Sequence, residues 1–153
     1  MAVQYGRLDV VRLAIEQGYD VNQKTHSWAA DTALHHATWN RREPVIEYLL
    51  QHKADVTALD INQRTPLHFA ILTNCGPTIC LKLVNAKADV FATDKYDNSV
   101  FHLVAQNTER DHQAADGSLI LQNYSQIGAV AASTFFLQFD TEYLLIQSGS
   151  AGQ

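Results

Sequence analysis

The chain of 153 residues reads as an all-α solenoid of stacked helix–turn–helix units joined by hairpin loops, with an irregular C-terminal segment. Three observations predict this. TALHHA at 32–37, TPLHFA at 65–70 and SVFHLV at 99–104 recur at intervals of 33 and then 34 residues. A second apolar run lies behind each full motif, and an Asp-Val step behind that, in QGYDVN (17–22), HKADVT (52–57) and NAKADVF (85–91). A fixed period of this length marks units that bury their apolar faces only by stacking on neighbours, which yields an extended open surface instead of an enclosed pocket.

Each element has a local reason. Thr65 suits an N-cap, and Pro66 suits the first helical position, where no N–H is needed. Thr32 and Ser99 cap in the same way, while Leu34/Ala37, Leu67/Ala70 and Phe101/Val104 give the i, i+3 spacing of an inward face. Val10, Val11, Leu13 and Ile15 mark a second helix in the first unit; Val45, Ile46, Leu49 and Leu50 mark it in the next, and Ile79, Cys80, Leu83 and Val84 in the third. The order is helix, helix, hairpin, helix.

These residues resemble the ankyrin-repeat family, whose unit runs D-x-x-G-x-T-P-L-H-x-A, I-V-x-L-L-L, G-A-D-V-N. The resemblance covers 2–107 and implies an ankyrin-repeat solenoid with a partial repeat at 2–31, full repeats at 32–64 and 65–98, and the start of another at 99–107. The residues after the second helices depart from the pattern, keeping Gly18 but placing Lys53 and Lys87 where the family has glycine. At the hairpin tips Gln63 and Asp97 replace it. Positive φ costs a non-glycine residue about 1–2 kcal/mol, so a marginally stable solenoid is expected. Asn62 and Asn98, beside the tips, are expected to relieve part of that strain.

Both ends look unfinished. Residues 2–22 match a repeat only from the end of its first helix, leaving Val10, Leu13 and Ala14 without a cover, and the expectation is a fragment of a longer protein or an incomplete gene product. Residues 108–139 read as an insertion or irregular segment, and TEYLLIQSG within 140–153 echoes IEYLLQHKA as the second helix of a last repeat with a tail. The apolar run from Ile127 to Leu137 is well short of the roughly 20 residues a bilayer helix requires.

Composition narrows the function classes. A formal net charge of −5 argues against a nucleic-acid surface, which normally shows a basic stripe. The two cysteines, Cys75 and Cys80, form no C-x-x-C and read as free thiols in a reducing compartment. With no apolar leader ahead of the first amphipathic helix, the expected location is cytoplasmic, or the cytosolic face of a membrane within a larger membrane protein. His35, His68 and His102 stand one repeat apart, roughly 8–10 Å, too far to share an ion with bonds of about 2 Å, and read as backbone-bonding histidines. Asp20, Asp55, Asp60, Asp89 and Asp94 recur beside turns and read as turn formers. No G-x-S-x-G, phosphate-cradling glycine loop or H-E-x-x-H occurs, so no enzymatic activity, cofactor or metal is expected within the chain.

The expected function is a protein-interaction module. The family's binding face comprises hairpin tips and the exposed turn of each first helix, and mapping by motif places Trp39, Asn40, Leu59, Ile61, Asn62, Arg64, Leu72, Thr73, Lys95, Tyr96 and Asn98 there. Trp39, Tyr96 and Arg64 are the preferred anchors, since Trp, Tyr and Arg are enriched at binding hot spots. Packing of Trp39 and Leu72 against neighbouring repeats is the alternative. Trp28 joins the list because it lies in a hairpin two residues longer than the others: Asp20 to Thr32 spans 12 positions, against 10 for Asp55 to Thr65 and for Asp89 to Ser99. The partner is another protein of unspecified identity, the chain a monomer, with no nucleic-acid or membrane contact by this segment. A second reading makes it the regulatory or substrate-recruiting part of an enzyme whose catalytic portion lies outside these residues. The stretch from QYG to AQN resembles the N-terminal repeats of ankyrin-containing protein S-acyltransferases.

Overall fold

A computed structural model describes residues 2–26, 29–103 and 106. Five helices follow one another: α1 (Leu8–Glu16), α2 (Ala33–Trp39), α3 (Glu43–Gln51), α4 (Pro66–Leu72) and α5 (Pro77–Asn85), with a further helical run at 100–103. Helices α2 and α4 pack side by side, α1 packs on α3, and the α2–α3 and α4–α5 pairs form antiparallel hairpins. Two layers of helices result. Between them Leu34, Ala37, Val45, Ile46, Leu49, Leu67, Ala70, Ile79, Leu83 and Val100 are buried in one continuous core. The segments 108–139 and 140–153 assigned from sequence lie outside the described residues, as do Trp28 and Val104.

The helix starts follow the expected chemistry. Thr65 is extended at φ −84°, ψ 166°, its hydroxyl accepts from the His68 amide at 3.4 Å, and Pro66 opens the helix. Thr32 takes the same extended conformation before α2.

The helix ends are more uniform than the sequence reading supposed. Lys53 (φ 62°), Lys87 (φ 74°), Gln63 (φ 58°) and Asp97 (φ 60°) all adopt the left-handed conformation where the family has glycine. Asn62 and Asn98 do not share it; their amides instead donate to Asp60 and Asp94, whose carboxylates collect the turn N–H groups. The carboxylate, and not a neighbouring asparagine, stabilises each tip. A third left-handed position closes the turn at 2–6 with Gly6 (φ 69°) and the first helices α2 and α4 with Arg41 (φ 53°) and Asn74 (φ 48°), and Ala30 (φ 51°) matches the tips of the later hairpins.

The paired bonds at these ends are those of a Schellman motif. Lys53 N–H reaches Leu50 O at 3.1 Å while Ala54 N–H reaches Leu49 O at 2.9 Å, and Lys87 with Ala88 repeats the pair on Val84 and Leu83. Arg41 with Arg42 and Asn74 with Cys75 repeat it after α2 and α4, and Gly6 with Arg7 after the turn at 2–6. A Cβ on Gly6 would also sit 3.1 Å from Arg42 Cδ.

Replacing Lys53 and Lys87 by Gly removes about 1–2 kcal/mol of strain at each, offset by about 0.4–1 kcal/mol of added unfolded-state freedom. The double variant is expected to gain about 1–2 kcal/mol, raising the thermal midpoint by roughly 5 °C or more. A lowered midpoint in a circular dichroism melt would show that these turns are not left-handed in solution.

Candidate functional site

The histidines of the repeated motif are bound into the fold. Thr32 N–H donates to His35 Nδ1 at 3.1 Å, so that nitrogen carries a lone pair and Nε2 carries the proton, which it gives to Arg64 O at 3.0 Å. His68 repeats the arrangement with Thr65 N–H at 3.2 Å, its Nε2 facing the carbonyls of Asn98 and Ala92 without closing a full bond. Ser99 N–H and hydroxyl hold His102 in the same way. His35 and His68 are buried, and desolvation lowers the pKa of both. A proton on Nδ1 would also meet the Thr N–H head-on.

The turn carboxylates behave likewise. Asp20, Asp55, Asp60, Asp89 and Asp94 each accept a backbone N–H from two residues on. Burial alone would raise the Asp60 carboxyl. The Arg64 side chain and amide outweigh that and hold it below the usual carboxylate range. Cys80 is buried on α5 and its thiol is pushed up to about 12 by desolvation, which leaves it inert; Cys75 is half-buried in the turn before α5. Among the described residues no three His, Cys, Asp or Glu side chains converge on a point that could hold a metal ion.

The face built by α2, α4 and the hairpins has a different character. Trp39 is 50% exposed and meets the edge of Phe69 at 5.6 Å between ring centroids. Phe69, 7% exposed, also touches His35 at 5.0 Å and carries the Arg64 guanidinium 4.7 Å over its ring. Arg64 is fixed there by Asp60, with Nε and Nη2 both on Oδ2 at 2.9 and 2.6 Å. Beyond it the hairpins are tied tip to tip: Ile61 N–H donates to Ala29 O, and Lys95 N–H donates to Asn62 O, both at 2.9 Å. Leu59, Ile61 and Tyr96 stand exposed on these tips.

The remaining residues singled out from sequence are more tightly bound into the scaffold. Asn40 Nδ2 caps His36 O at 2.8 Å, Asn98 Nδ2 reaches Asp94, and Thr73 Oγ1 donates to Phe69 O at 2.8 Å. Leu72 is half-buried against the core. Phe69 was missed by the sequence reading although it joins Trp39 to Arg64. Its signal was a large apolar side chain at the variable position of the T-P-L-H-x-A motif.

A family model described as "Ankyrin repeats (3 copies)" matches residues 1–94. The chain belongs to the ankyrin-repeat family. Such repeats are generally protein-interaction modules, and the repeat domain itself is non-catalytic. Among similar proteins, the RelA-associated inhibitor of Mus musculus is 36% identical over 95 residues, 61% of this chain and 11% of that protein. Palmitoyltransferase Hip14 of Drosophila melanogaster is 37% identical over 104 residues, 67% of this chain and 16% of its own length. A probable E3 ubiquitin-protein ligase of Oryza sativa subsp. japonica, XBOS33, is 37% identical over 86 residues, 56% and 16% respectively. The chain spans about a tenth to a sixth of these relatives. No helix among the described residues is long and apolar enough to cross a membrane.

The buried histidines are expected to make the ankyrin repeats acid-sensitive. Burial holds their folded pKa values below the ordinary imidazole value of about 6.5, so the unfolded chain binds more protons as pH falls through that value. The stabilisation is complete above pH 6.5 and is lost progressively below it. Thermal midpoints are expected to decline between pH 7.5 and 5.5, and the His35→Gln/His68→Gln variant, less stable at pH 7.5, to show a flatter profile. An equally steep profile in that variant would remove the histidines as the cause.

Proposed function

We propose that this chain recognises a partner protein through the face formed by α2, α4 and the hairpin tips. The observation that carries this reading is the exposure of Trp39, Leu59, Ile61 and Tyr96 on one backbone whose hairpins are hydrogen-bonded to each other. Exposed aromatic and aliphatic anchors on a preorganised frame lose little conformational freedom on binding. Trp39, Tyr96 and Arg64 are the principal contacts. Asn40, Asn62, Leu72, Thr73, Lys95 and Asn98 border them, and Trp28 contributes from the lengthened hairpin. The module acts without turnover, as a monomer, in the cytoplasm or at the cytosolic face of a membrane.

A second reading rests on the 37% identity to Palmitoyltransferase Hip14, in which the repeats would recruit a substrate for a protein S-acyltransferase part outside these residues. A downstream D-H-H-C cysteine-rich segment in the continuous gene would favour it. A stop codon shortly after a further repeat would favour the plain interaction module.

The Trp39→Ala/Tyr96→Ala variant is expected to lose the bands that the parent chain captures in a pull-down. Far-UV circular dichroism should stay unchanged, and so should capture by a control substituted on α3, Glu47→Ala. Retained capture by the double variant would remove these anchors, while lost helicity would assign them to the core.

A further inference from the structure

We propose that Phe69 is a positioning residue for the Trp39 anchor: its ring sets the pose of the indole that a partner meets, and Arg64 holds that ring in place. This rests on the interaction surface proposed above, in which Trp39 is a principal contact. Trp39 is the last residue of α2 and shows half of its surface to solvent, and part of the covered half lies against the Phe69 ring of α4. The two centroids are 5.6 Å apart, with the ring planes at 71°. Phe69 is itself only 7% exposed, so it leaves a partner almost no surface to touch. Its part in recognition is indirect.

Equivalent positions in the neighbouring repeats separate this role from simple packing. The repeat spacing sets Phe69 against His36 in α2 and against Leu103 in the run at 100–103. His36 turns to Asp31 at 2.9 Å, and Leu103 is buried with 5% exposure. An imidazole or an aliphatic side chain is thus accepted there, and the stack needs no aromatic ring at that point. The same holds for Arg64. Its counterpart Asn98 reaches the Asp94 carboxylate through Nδ2 at 3.3 Å and serves that tip as Arg64 serves Asp60. Neither side chain is demanded by the fold, yet the two meet, with the guanidinium 4.7 Å over the Phe69 ring.

A ring supplies what leucine cannot. Its quadrupole favours an edge-to-face neighbour, so the indole gains a preferred direction as well as a contact. His35, at 5.0 Å, and Trp39 both meet Phe69 with planes 71° apart, while the cation takes a face of the ring. Arg64 is kept there because its Nε and Nη2 are both bound to Asp60. An anchor already held in one pose avoids an ordering cost worth about two- to tenfold in affinity.

The order of the Trp39 indole tests the proposal in the full chain, read as the nitrogen-15 relaxation order parameter of Nε1–H and assigned by its loss in Trp39→Ala. The parent indole is expected near the rigid value of about 0.85, and Phe69→Leu is expected to drop it below about 0.6 with far-UV circular dichroism intact. Phe69→Tyr should restore the parent value. Arg64→Asn, which copies Asn98, should lower it by a smaller step. Capture of the pull-down bands that Trp39→Ala loses should fall about two- to tenfold in Phe69→Leu and return in Phe69→Tyr. Parent-like order in Arg64→Asn or in a folded Phe69→Leu would overturn the proposal, and so would equal disorder in Phe69→Leu and Phe69→Tyr. If Trp39→Ala keeps full capture while indole order follows Phe69 as expected, the surface reading falls and the control of the pose stands.

Discussion

Every described helix pair ends in a residue with positive φ, and the rest of the architecture depends on that reversal. A left-handed residue lets the chain turn back within two positions while its amide and the next satisfy carbonyls of the last turn. Gly6 does this after the turn at 2–6, Arg41 and Asn74 after α2 and α4, and Gly18, Lys53 and Lys87 after the second helices. With equivalent reversals, α2 packs on α4 and α1 on α3, each one repeat away. Leu34, Leu67 and Val100 then fall into one continuous core. Arg41, Lys53 and Lys87 are side chains that disfavour the conformation, so the scaffold carries a distributed strain that hydrophobic stacking offsets.

Polar groups at the hairpins extend that order across the repeats. Thr32 fixes the His35 tautomer, His35 holds the Arg64 carbonyl, and Asp60 in turn fixes the Arg64 side chain over Phe69. A buried structural network thus positions a surface residue. The exposed apolar side chains of the face stand on a frame whose own hydrogen bonds are satisfied, which is the condition for binding without a large ordering cost.

How much was legible beforehand varied with the range of the interactions. Thr65, Pro66 and the turn aspartates act within four residues of their partners, and their chemistry could be read directly. The left-handed state of Lys53, Lys87, Gln63 and Asp97 followed from comparison with the repeat pattern. Arg41, Asn74 and Ala30 escaped notice, since no mismatch at those positions had been weighed. The role assigned to Asn62 and Asn98 was misplaced because the Asp carboxylate, two to four residues earlier, reaches the same amides.

The sequence by itself determined the repeat period, the helix order and the caps, because these arise from local geometry and from a hydrophobic pattern that returns at fixed intervals. Only the tertiary structure decided which large side chains face solvent and how they group. Trp39 and Leu34 occupy the same helix, yet one is half exposed and the other buried. The meeting of Trp39, Phe69 and Arg64 joins residues up to thirty positions apart, and such contacts depend on how repeats stack, which no local period encodes.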